Sequence, residues 1–572
     1  MHNKDVQQIV DFVKQQASSA AYRKYCQDLL VEMCAIDTCI QSDVSRLREN
    51  EHKVFDICER ELRSIAGDRI RILRDPINPK IQEHPYYSQL YYTCSPDRRQ
   101  PLSCEEAYMG RCNLVSTFPA DEPGAAGHNA FYNAHIDCVA PFFPPRVEGP
   151  LVYGRGTADD KGEIVLLIAQ IKLIEEARQT FGLKFGANRV YQFVIEEEMG
   201  GNGSLSLVMD DRFRGYEAVI HEITGNLVHP ANRGCVWYQC TLNSAGVPNA
   251  QTIQMWPFVV RALESEGAKL KAESKHPLFK PEHVQTNHGV LGPYGKHPSA
   301  VNDHVAFAMT VAGVANPDRL AMRVTEIIDA AIREYVQQYG DKTKEKDPET
   351  GRPKVERHYK LQVVGTGSSP TFRLDVYGKA GHMGAVAKCD GAITKAAFIM
   401  LALMQAGRTF AQVKASGKFA DAEGNIDPLV LEGGQGFVPT HDMDQVMQRL
   451  RRAAAQGVQD YCRFAGVQYK PEMSEMRFDK LHNNAFASDV NSPAMQSFQY
   501  AYQALGKPWP EVTGWQVSCD ARIFARHGHN VVTFGPGTLK EAHSDTEFLD
   551  LRQMQEALAL SVIQAMNLGG AL

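Results

Sequence analysis

Two side chains that can do chemistry stand two residues apart in the apolar stretch "YNAHIDCVAP", residues 132–141. In a β-strand, side chains at positions i and i+2 point to the same face, so His135 and Asp137 can share one site. The pair has two interpretations. His135 is either a buried core histidine that happens to neighbour an acid, or a metal ligand whose ring is oriented by the Asp137 carboxylate.

Four further stretches place metal-ligand side chains at turns. "GRGTADDKGE" has Asp159 and Asp160 before a helix, "VIEEEMGGNGS" ends an apolar strand in three glutamates, and "VIHEITGN" and "FGPGTLKEAHSD" supply Glu222 and His543. Each has an ordinary interpretation, such as Asp160 as a helix N-cap or the glutamates as a solvated charge run. Open α/β sheets, however, collect their sites at the carboxyl ends of their strands. Five strand-end stretches that each carry His, Asp or Glu therefore favour a metal site.

Alternating strands and helices must position these side chains. Residues 1–70 have apolar residues at helical spacing. The short apolar strands "NLVSTF" and "NAFYNAHIDCV" are followed by the helix "GEIVLLIAQIKLIEEARQTF" and the strand "RVYQFVIEEE". A strand, a helix and a further strand in that order indicate an α/β fold with a parallel-rich sheet covered by helices.

A different segment, residues 236–475, interrupts this pattern. The sequence therefore predicts a catalytic domain in two parts, 1–235 and 476–572, with an inserted α+β lid domain between them. Inside the lid, strand "CVWYQCTLN" and two helices separated by a His/Pro/Gly-rich loop precede a restart of the order at "TFRLDVYG". The restart, and the junction "NSAGVPNA" matched by "GKAGHMGA", predict an internal duplication into consecutive units 236–366 and 367–475.

Composition limits the classes of partner. The chain has 572 residues, more than one hydrophobic core usually organises. A net charge of -6 and a pI near 6.4 give no basic field, so neither nucleic acid nor an anionic membrane is expected as a partner. The start lacks a signal-peptide pattern, and a cytoplasmic location is expected. The thirteen cysteines show no CxxC pair, which favours reduced thiols packed as small apolar groups.

The ordered set of motifs resembles that of the cocatalytic di-zinc hydrolases, the family of aminoacylase, carboxypeptidase G, succinyl-diaminopimelate desuccinylase and carnosinase. In chain order the motifs are HxD, GRGxxDxKG, EExG, an acid in ExTG, a GH in the lid, and a late FGPG followed by AH. The resemblance implies a phosphorylase/hydrolase-like catalytic domain. The size of the lid is closest to that of the monomeric dipeptidases of the family.

The resemblance also implies a role for each motif residue. Two Zn²⁺ ions are the expected cofactors, with Co²⁺ or Mn²⁺ as substitutes. Five ligands are implied: His135 and Glu222 for one ion, Glu198 and His543 for the other, and Asp159 as the bridge. Three catalytic residues are implied: Asp137, which fixes the tautomer of His135, Glu197 as the general base, and His382 as a donor to the oxyanion. Gly535 and Gly537 of "FGPG" are expected to bind substrate, and His382 has the alternative of a surface turn histidine.

The sequence departs from the family pattern in the lid. The stretch "EGGQGFVPTHDMDQV" has Gly436 where the family has Asn, and it passes into a helix without the arginine that clamps a substrate carboxylate. The leading hypothesis is a hydrolase of the C–N bond of a dipeptide or N-acyl amino acid. An alternative is the same site acting on a carbamoyl, ureido or amine group. A catalytically inactive binding relative is disfavoured, because every ligand and Glu197 are present.

The size of the lid carries a prediction about assembly. In relatives with a single lid unit, the oxyanion histidine comes from a neighbouring subunit. A lid of two units can pair within one chain, so we expect a catalytically complete monomer acting on a small-molecule substrate. A homodimer stays an open alternative.

Overall fold

The computed structural model describes residues 3–124, 126–295, 298–310, 314–346, 351–364, 369–406, 412–415, 427–478, 483–540, 542–544 and 546–572. The helices of these residues are α1 (Asn3–Ala17), α2 (Ala20–Cys34), α3 (Val44–Ala66), α4 (Cys104–Tyr108), α5 (Lys161–Phe181), α6 (Asn202–Val208), α7 (Thr252–Glu273), α8 (Pro317–Tyr339), α9 (Ala392–Ala406), α10 (Met443–Ala465), α11 (Pro493–Ala504), α12 (Ala521–Arg526) and α13 (Leu551–Leu568). The helical prediction for residues 1–70 is confirmed by α1, α2 and α3.

The strands of the described residues are mostly short. They are β1 (Arg71–Pro76), β2 (Cys112–Phe118), β3 (Ala130–His135), β4 (Arg146–Glu148), β5 (Leu151–Tyr153), β6 (Arg189–Val194), β7 (Glu217–His221), β8 (Ala231–Asn232), β9 (Gly234–Leu242), β10 (Thr286–Leu291), β11 (Ala300–Val301), β12 (His304–Thr310), β13 (Tyr359–Val364), β14 (Thr371–Tyr377), β15 (Gly381–His382), β16 (Gln412–Ala415), β17 (Leu429–Phe437), β18 (Ser474–Phe478), β19 (Phe486–Ala487), β20 (Val531–Phe534) and β21 (Phe548–Asp550).

The chain forms two compact units, Met1–Arg233 with Lys480–Leu572, and Gly234–Asp479. The first unit contains a six-stranded sheet in the order β1-β2-β6-β3-β7-β20. Strand β3 pairs in parallel with β6 and β7, and β20 pairs in parallel with β7. Only the β1 and β2 pairings are antiparallel. The prediction of an α/β fold with a parallel-rich sheet is confirmed.

The central strands are apolar on both faces because helices cover both. Every residue of β3 and β6 is buried. Along β3, Tyr132 and Ala134 belong to a core shared with α5 and α13, whereas Phe131 belongs to a core shared with Phe524 of α12. Helix α5 contacts α1, α2, α3, α13 and β3, which explains why it is apolar on all sides.

The second unit contains two four-stranded antiparallel sheets of the same design. Their orders are β10-β17-β9-β18 and β13-β14-β12-β16, so numbering each set of four strands along the chain gives the order 2-3-1-4 in both. Helices α7 and α10 connect the strands of the first sheet, and α8 and α9 connect those of the second. The internal duplication predicted for the lid is therefore present in the topology.

The two sheets are nested in the sequence, which differs from the expected consecutive units 236–366 and 367–475. Strands β17 and β18 follow the second sheet along the chain and yet complete the first one. The segment interpreted as a His/Pro/Gly-rich loop also contains β10, β11 and β12. One glycine, two histidines and one asparagine in these strands weaken the alternating apolar pattern that identifies a strand.

Two further observations concern the apolar helices and the cysteines. Among the described residues, we find no helix with the length and apolar character needed to span a bilayer. All thirteen cysteines are free, and all but Cys94 are buried. Cysteines that pack as small apolar side chains are found in such positions.

Candidate metal centre

Four neighbouring parallel strands deliver candidate ligands to one edge of the first unit's sheet. Strand β3 ends at His135, the glutamates 196–198 follow β6, Glu222 follows β7, and His543 lies beyond β20. The turn between β5 and α5 adds Asp159 and Asp160. The carboxyl edge of an open α/β sheet is the usual place for a site.

The first group of possible ligands surrounds His135. Its Nε2 atom lies 3.2 Å from Asp159 Oδ1, 4.0 Å from Asp160 Oδ2 and 4.0 Å from Glu222 Oε1. One ligand atom from each of these four residues lies within 4.8 Å of the others, and all four residues are buried. Asp160 is a member that the sequence analysis did not predict.

The second group contains Asp159, Glu198 and His543. His543 Nε2 lies 3.0 Å from Glu198 Oε1 and 3.3 Å from Asp159 Oδ2. Asp159 therefore offers one carboxylate oxygen to each group, which is the arrangement of a bridging ligand. The structure brings together all five residues that the resemblance implied as metal ligands.

The donor set fits divalent cations. His135 Nε2 is buried, and no residue in the described part of the chain forms a hydrogen bond with it. Burial, followed by the nearby carboxylates of Asp160 and Asp159, raises the pKa of Glu222 well above its usual value. Buried carboxylates that repel one another are stabilised by a cation, and nitrogen with carboxylate oxygen is a ligand set that suits zinc.

Asp137 connects the first group to the turn after β6 that contains Glu196, Glu197 and Glu198, called the glutamate turn below. Its Oδ1 lies 3.3 Å from His135 Nδ1, and its backbone carbonyl lies 3.0 Å from the same nitrogen. The backbone N–H groups of Glu197 and Glu198 donate to Asp137 Oδ1 and Oδ2 at 3.1 and 3.0 Å. An acceptor at Nδ1 leaves Nε2 of His135 free to bind a metal.

The helix-cap interpretation of Asp160 does not describe the geometry. Asp160 precedes α5 but makes no side-chain cap bond to it. Its Oδ2 instead accepts the backbone N–H of His135 at 2.9 Å. Burial lowers the pKa of His135, but the carboxylates of Asp160, Asp137 and Asp159 outweigh burial and raise the pKa well above its usual value.

Glu197 lies beside the ligand groups and contacts an arginine that the sequence analysis missed. Arg522 Nη1 lies 3.4 Å from Glu197 Oε1, and Arg522 Nη2 lies 3.7 Å from Asp520 Oδ1. Burial and the Asp520 carboxylate raise the pKa of Glu197 to about 8. A carboxyl group with such a pKa can exchange a proton near neutral pH. The sequence indicates this contact only through the stretch "SCDAR", residues 518–522, in which Asp520 and Arg522 stand two residues apart.

Glu547 is a second residue that the sequence analysis missed. Its Oε1 accepts the backbone N–H groups of Ala158 and Asp159 at 3.0 and 3.1 Å, and its Oε2 accepts from Arg155 Nη1 at 2.6 Å. Side chains of Arg155 and Glu547 are 1% and 0% exposed. Glu547 therefore fixes the turn that carries Asp159.

The two glycines predicted to bind substrate pack closely against the protein itself. A Cβ on Gly535 would lie 2.3 Å from Glu163 Oε1, and a Cβ on Gly537 would lie 2.9 Å from Ile223 Cγ2. Gly537 also has a φ of +82°, which favours glycine. This packing accounts for the glycines, and their contact with substrate stays a prediction.

His382 belongs to the second unit. It lies in β15, where it is opposite Ala300 of β11, and the next residue's N–H donates to Ser299 O at 2.7 Å. Its part in the chemistry of the site stays a prediction.

Comparison with known proteins identifies the family. Residues 131–563 match the sequence model of Peptidase family M20/M25/M40. The chain belongs to Peptidase family M20/M25/M40. The resemblance inferred from the motifs is confirmed at this level, and the matched span contains every candidate ligand.

Two curated proteins share part of the sequence with this member of Peptidase family M20/M25/M40. Carboxypeptidase G2 of Pseudomonas sp. (strain RS-16) is 33% identical over 96 residues, which are 15% of this chain and 21% of that protein. N-formyl-4-amino-5-aminomethyl-2-methylpyrimidine deformylase of Bacillus subtilis (strain 168) is 23% identical over 264 residues, 41% of this chain and 58% of that protein. The match therefore spans less than two thirds of each relative.

Two solved structures have the fold of this M20/M25/M40 family member over nearly the whole chain. Human carnosine dipeptidase 1 is 12% identical with a TM-score of 0.55, and the alignment covers 98% of this chain and 99% of that one. The di-peptidase Dug1p of Saccharomyces cerevisiae is 13% identical with a TM-score of 0.51, covering 99% and 98%. At these identities the likeness shows a shared fold alone.

Proposed function

We propose that this protein is a metal-dependent hydrolase that cleaves an amide-type C–N bond in a small substrate, a dipeptide or an N-acyl amino acid. The observation that carries the proposal is the pair of ligand groups that share Asp159. His135 and Glu222 would hold one ion, Glu198 and His543 would hold the other, and Asp159 would contribute to both. Zinc is the proposed metal, with cobalt or manganese as substitutes.

Glu197 is the proposed general base. When bound, zinc polarises a carbonyl oxygen and lowers the pKa of a water to about 7. Glu197 takes a proton from the attacking water while the water oxygen bonds to the carbonyl carbon. Glu197 then delivers this proton to the nitrogen as the C–N bond breaks, which leaves a carboxylic acid and an amine.

The remaining residues orient these groups or stabilise charge. Asp137 holds the ring of His135 and the backbone of Glu197 and Glu198. Glu547 holds the turn that carries Asp159. His382 is the proposed hydrogen-bond donor to the oxyanion that develops on the carbonyl oxygen.

A second candidate is a non-peptide C–N bond, such as that of a formyl, carbamoyl or ureido group. Two observations favour it. The curated relative from Bacillus subtilis is a deformylase, and the stretch "EGGQGFVPTHDM" lacks the arginine expected to bind a substrate carboxylate. Both candidates use the same metal centre and differ only in the substrate.

Metal analysis and a substrate panel test the proposal. The isolated protein should hold about two divalent ions per chain, and Glu197→Gln should keep them while its turnover falls by a factor of about 100 or more. The panel comprises dipeptides, N-acyl amino acids, N-formyl amines and ureido compounds. Asp11→Asn, an exposed change in α1 outside the site, is the control for the substitution itself.

The outcomes separate the parts of the proposal. A wild-type chain that binds no divalent ion contradicts the metal centre. Full turnover in Glu197→Gln removes Glu197 from the mechanism. Hydrolysis of N-formyl or ureido compounds without hydrolysis of dipeptides selects the second candidate.

A further inference from the structure

A buried charged cluster lies next to the glutamate turn without supplying a ligand. We call Glu51, Tyr92, Tyr108, Arg111 and Glu196 the Glu196 cluster. Arg111 lies between two carboxylates, with Nη2 2.6 Å from Glu51 Oε1 and Nη1 2.5 Å from Glu196 Oε1. The hydroxyls of Tyr92 and Tyr108 both donate to Glu196, Tyr108 at 2.7 Å. The side chains of the three charged residues are at most 2% exposed.

The backbone of Glu196 is in a left-handed conformation. Its φ is +66°, a value that non-glycine residues adopt only where the surrounding structure holds them. Glu196 directly precedes Glu197, the proposed base, and Glu198, a proposed ligand. The backbone conformation at Glu196 therefore determines the positions of the Cα atoms of Glu197 and Glu198 and the orientation of their side chains.

Backbone hydrogen bonds fix the conformation of the rest of the turn. The carbonyl of Glu196 accepts the N–H of Gly201 at 2.7 Å, and the carbonyl of Glu197 accepts the N–H of Gly200 at 2.9 Å. The N–H groups of Glu197 and Glu198 reach Asp137, which also contacts His135. The turn is thus held on one side by the Glu196 cluster and on the other by Asp137.

Fold stability alone does not explain a cluster of this kind. Removing two carboxylates and a guanidinium from water is costly, and an apolar replacement of similar volume is often no less stable. A buried ionic group does fix the orientation of its partners, because its hydrogen bonds are satisfied only in a specific geometry. Glu196 is both a member of this cluster and the left-handed residue of the turn, and this double place points to a role in geometry.

We propose that Glu196 is a positioning residue that, through Arg111, Tyr92 and Tyr108, holds the left-handed turn and so sets the placement of Glu197 and Glu198. The inference rests on the proposed function of that same centre. It adds a requirement beyond the ligands: a chain with every ligand intact loses metal affinity and turnover when the cluster is broken.

The test uses Glu196→Gln, with Tyr108→Phe as the milder variant in case the first does not fold. Glu175→Gln is the matched control, because Glu175 is also a buried glutamate of the first unit with arginine partners, Arg69 at 3.1 Å and Arg178 at 2.8 Å. Four measurements are made on the full chain: Tm, hydrogen exchange of residues 195–201, zinc affinity by competition with a chelating dye, and steady-state kinetics for kcat and KM.

Glu196→Gln should speed exchange of the Glu197 and Glu198 amides and weaken zinc binding by about 10-fold or more. Glu196→Gln should also lower kcat by a larger factor than it changes KM. Glu175→Gln should leave exchange, zinc affinity and the kinetic constants near wild type at a comparable loss of Tm. Tyr108→Phe should give the same pattern with smaller effects.

Two results would overturn the inference. One is unchanged exchange over residues 195–201 in Glu196→Gln and Tyr108→Phe; the other is an equal loss of zinc affinity in Glu196→Gln and Glu175→Gln. A wild-type chain that binds no zinc would contradict the proposed function instead, and the exchange measurement would still decide the positioning role.

Discussion

At the scale of single residues, two histidines of the first unit have pKa values shifted in opposite directions. Burial lowers the pKa of both, but at His135 the neighbouring charges reverse the shift. Around His135 the carboxylates of three aspartates outweigh burial and raise its pKa. Around His529 burial dominates and lowers the pKa below its usual value, although Tyr216 O accepts from Nδ1 at 3.0 Å. The ring of His529 packs against Phe131, with centroids 5.2 Å apart, and stays neutral in the folded chain at neutral pH.

The lowered pKa of His529 predicts how stability depends on pH. Below about 6.5 the unfolded chain protonates this histidine while the folded chain does not, so the unfolded state binds more protons. The contribution of His529 is therefore present above that pH and is lost as pH falls toward the folded pKa. His529→Gln should lose less stability than wild type between pH 7.5 and pH 5.5, as measured by the urea midpoint. An equal loss in both proteins would contradict the prediction.

At the scale of elements, the turn between β5 and α5 depends on one distant side chain. Glu547 lies just before β21 and accepts two N–H groups of this turn as well as Arg155. Strand β21 also pairs with β5, so the same segment holds the turn by backbone and side-chain contacts. The position of Asp159, the proposed bridging ligand, therefore depends on Glu547, a residue 388 positions later in the chain.

Glu547→Gln should lower both stability and metal binding. The change leaves the buried Arg155 without its charged partner, which costs about 3–5 kcal/mol of the free energy of unfolding. Zinc affinity should fall by about 10- to 100-fold because the turn loosens. Glu148→Gln is the control, since its ion pair with Arg146 is exposed and contributes about 1 kcal/mol or less. Denaturant titration and chelator competition measure the two effects, and similar losses in both variants would contradict the role of Glu547.

The sequence predicts the ligands of the centre better than their supports. His135, Glu198 and Glu222 were expected at one edge of the sheet because each ends or closely follows an apolar strand, and parallel strands bring their carboxyl ends together. Their roles as metal ligands are what the resemblance to the di-zinc hydrolases implies. Arg522 and Glu547 were missed because they reach their partners across hundreds of residues, and a single sequence does not show such pairs. For Asp160 the sequence left helix capping as an alternative, because a side chain directly before a helix usually caps it.

The same limit explains the nesting of the lid sheets. Helices such as α8 and α10 are visible from their periodicity. Which strands pair is not visible, because an antiparallel partner can lie at any distance along the chain. The return of β17 to β9 after the whole second sheet is a contact of this kind.

At the scale of the whole molecule, the duplicated lid bears on assembly. The resemblance to the di-zinc hydrolases implies that relatives with one lid unit take the oxyanion histidine from a partner subunit. This chain has two lid sheets of the same order, and Gly381 and His382 lie in the inner unit, residues 292–428, which is inserted between β10 and β17 of the outer sheet. We therefore predict that His382 serves its own chain and that a monomer is active. Mixing a Glu197→Gln chain with a His382→Ala chain should restore no activity. Recovery on mixing would show that His382 acts across subunits.

The nesting of the two sheets also has an evolutionary consequence. Leu291, where β10 ends, stands opposite Leu431 of β17, so the chain leaves the outer sheet and returns to it at one place. Within the outer sheet, β10 and β17 are antiparallel neighbours, and residues 292–428 form the long connection between them. Lengthening such a connection costs little free energy for each added residue. A lineage can thus acquire or lose the inner unit in a single insertion or excision that leaves the strand pairings of the outer sheet in place.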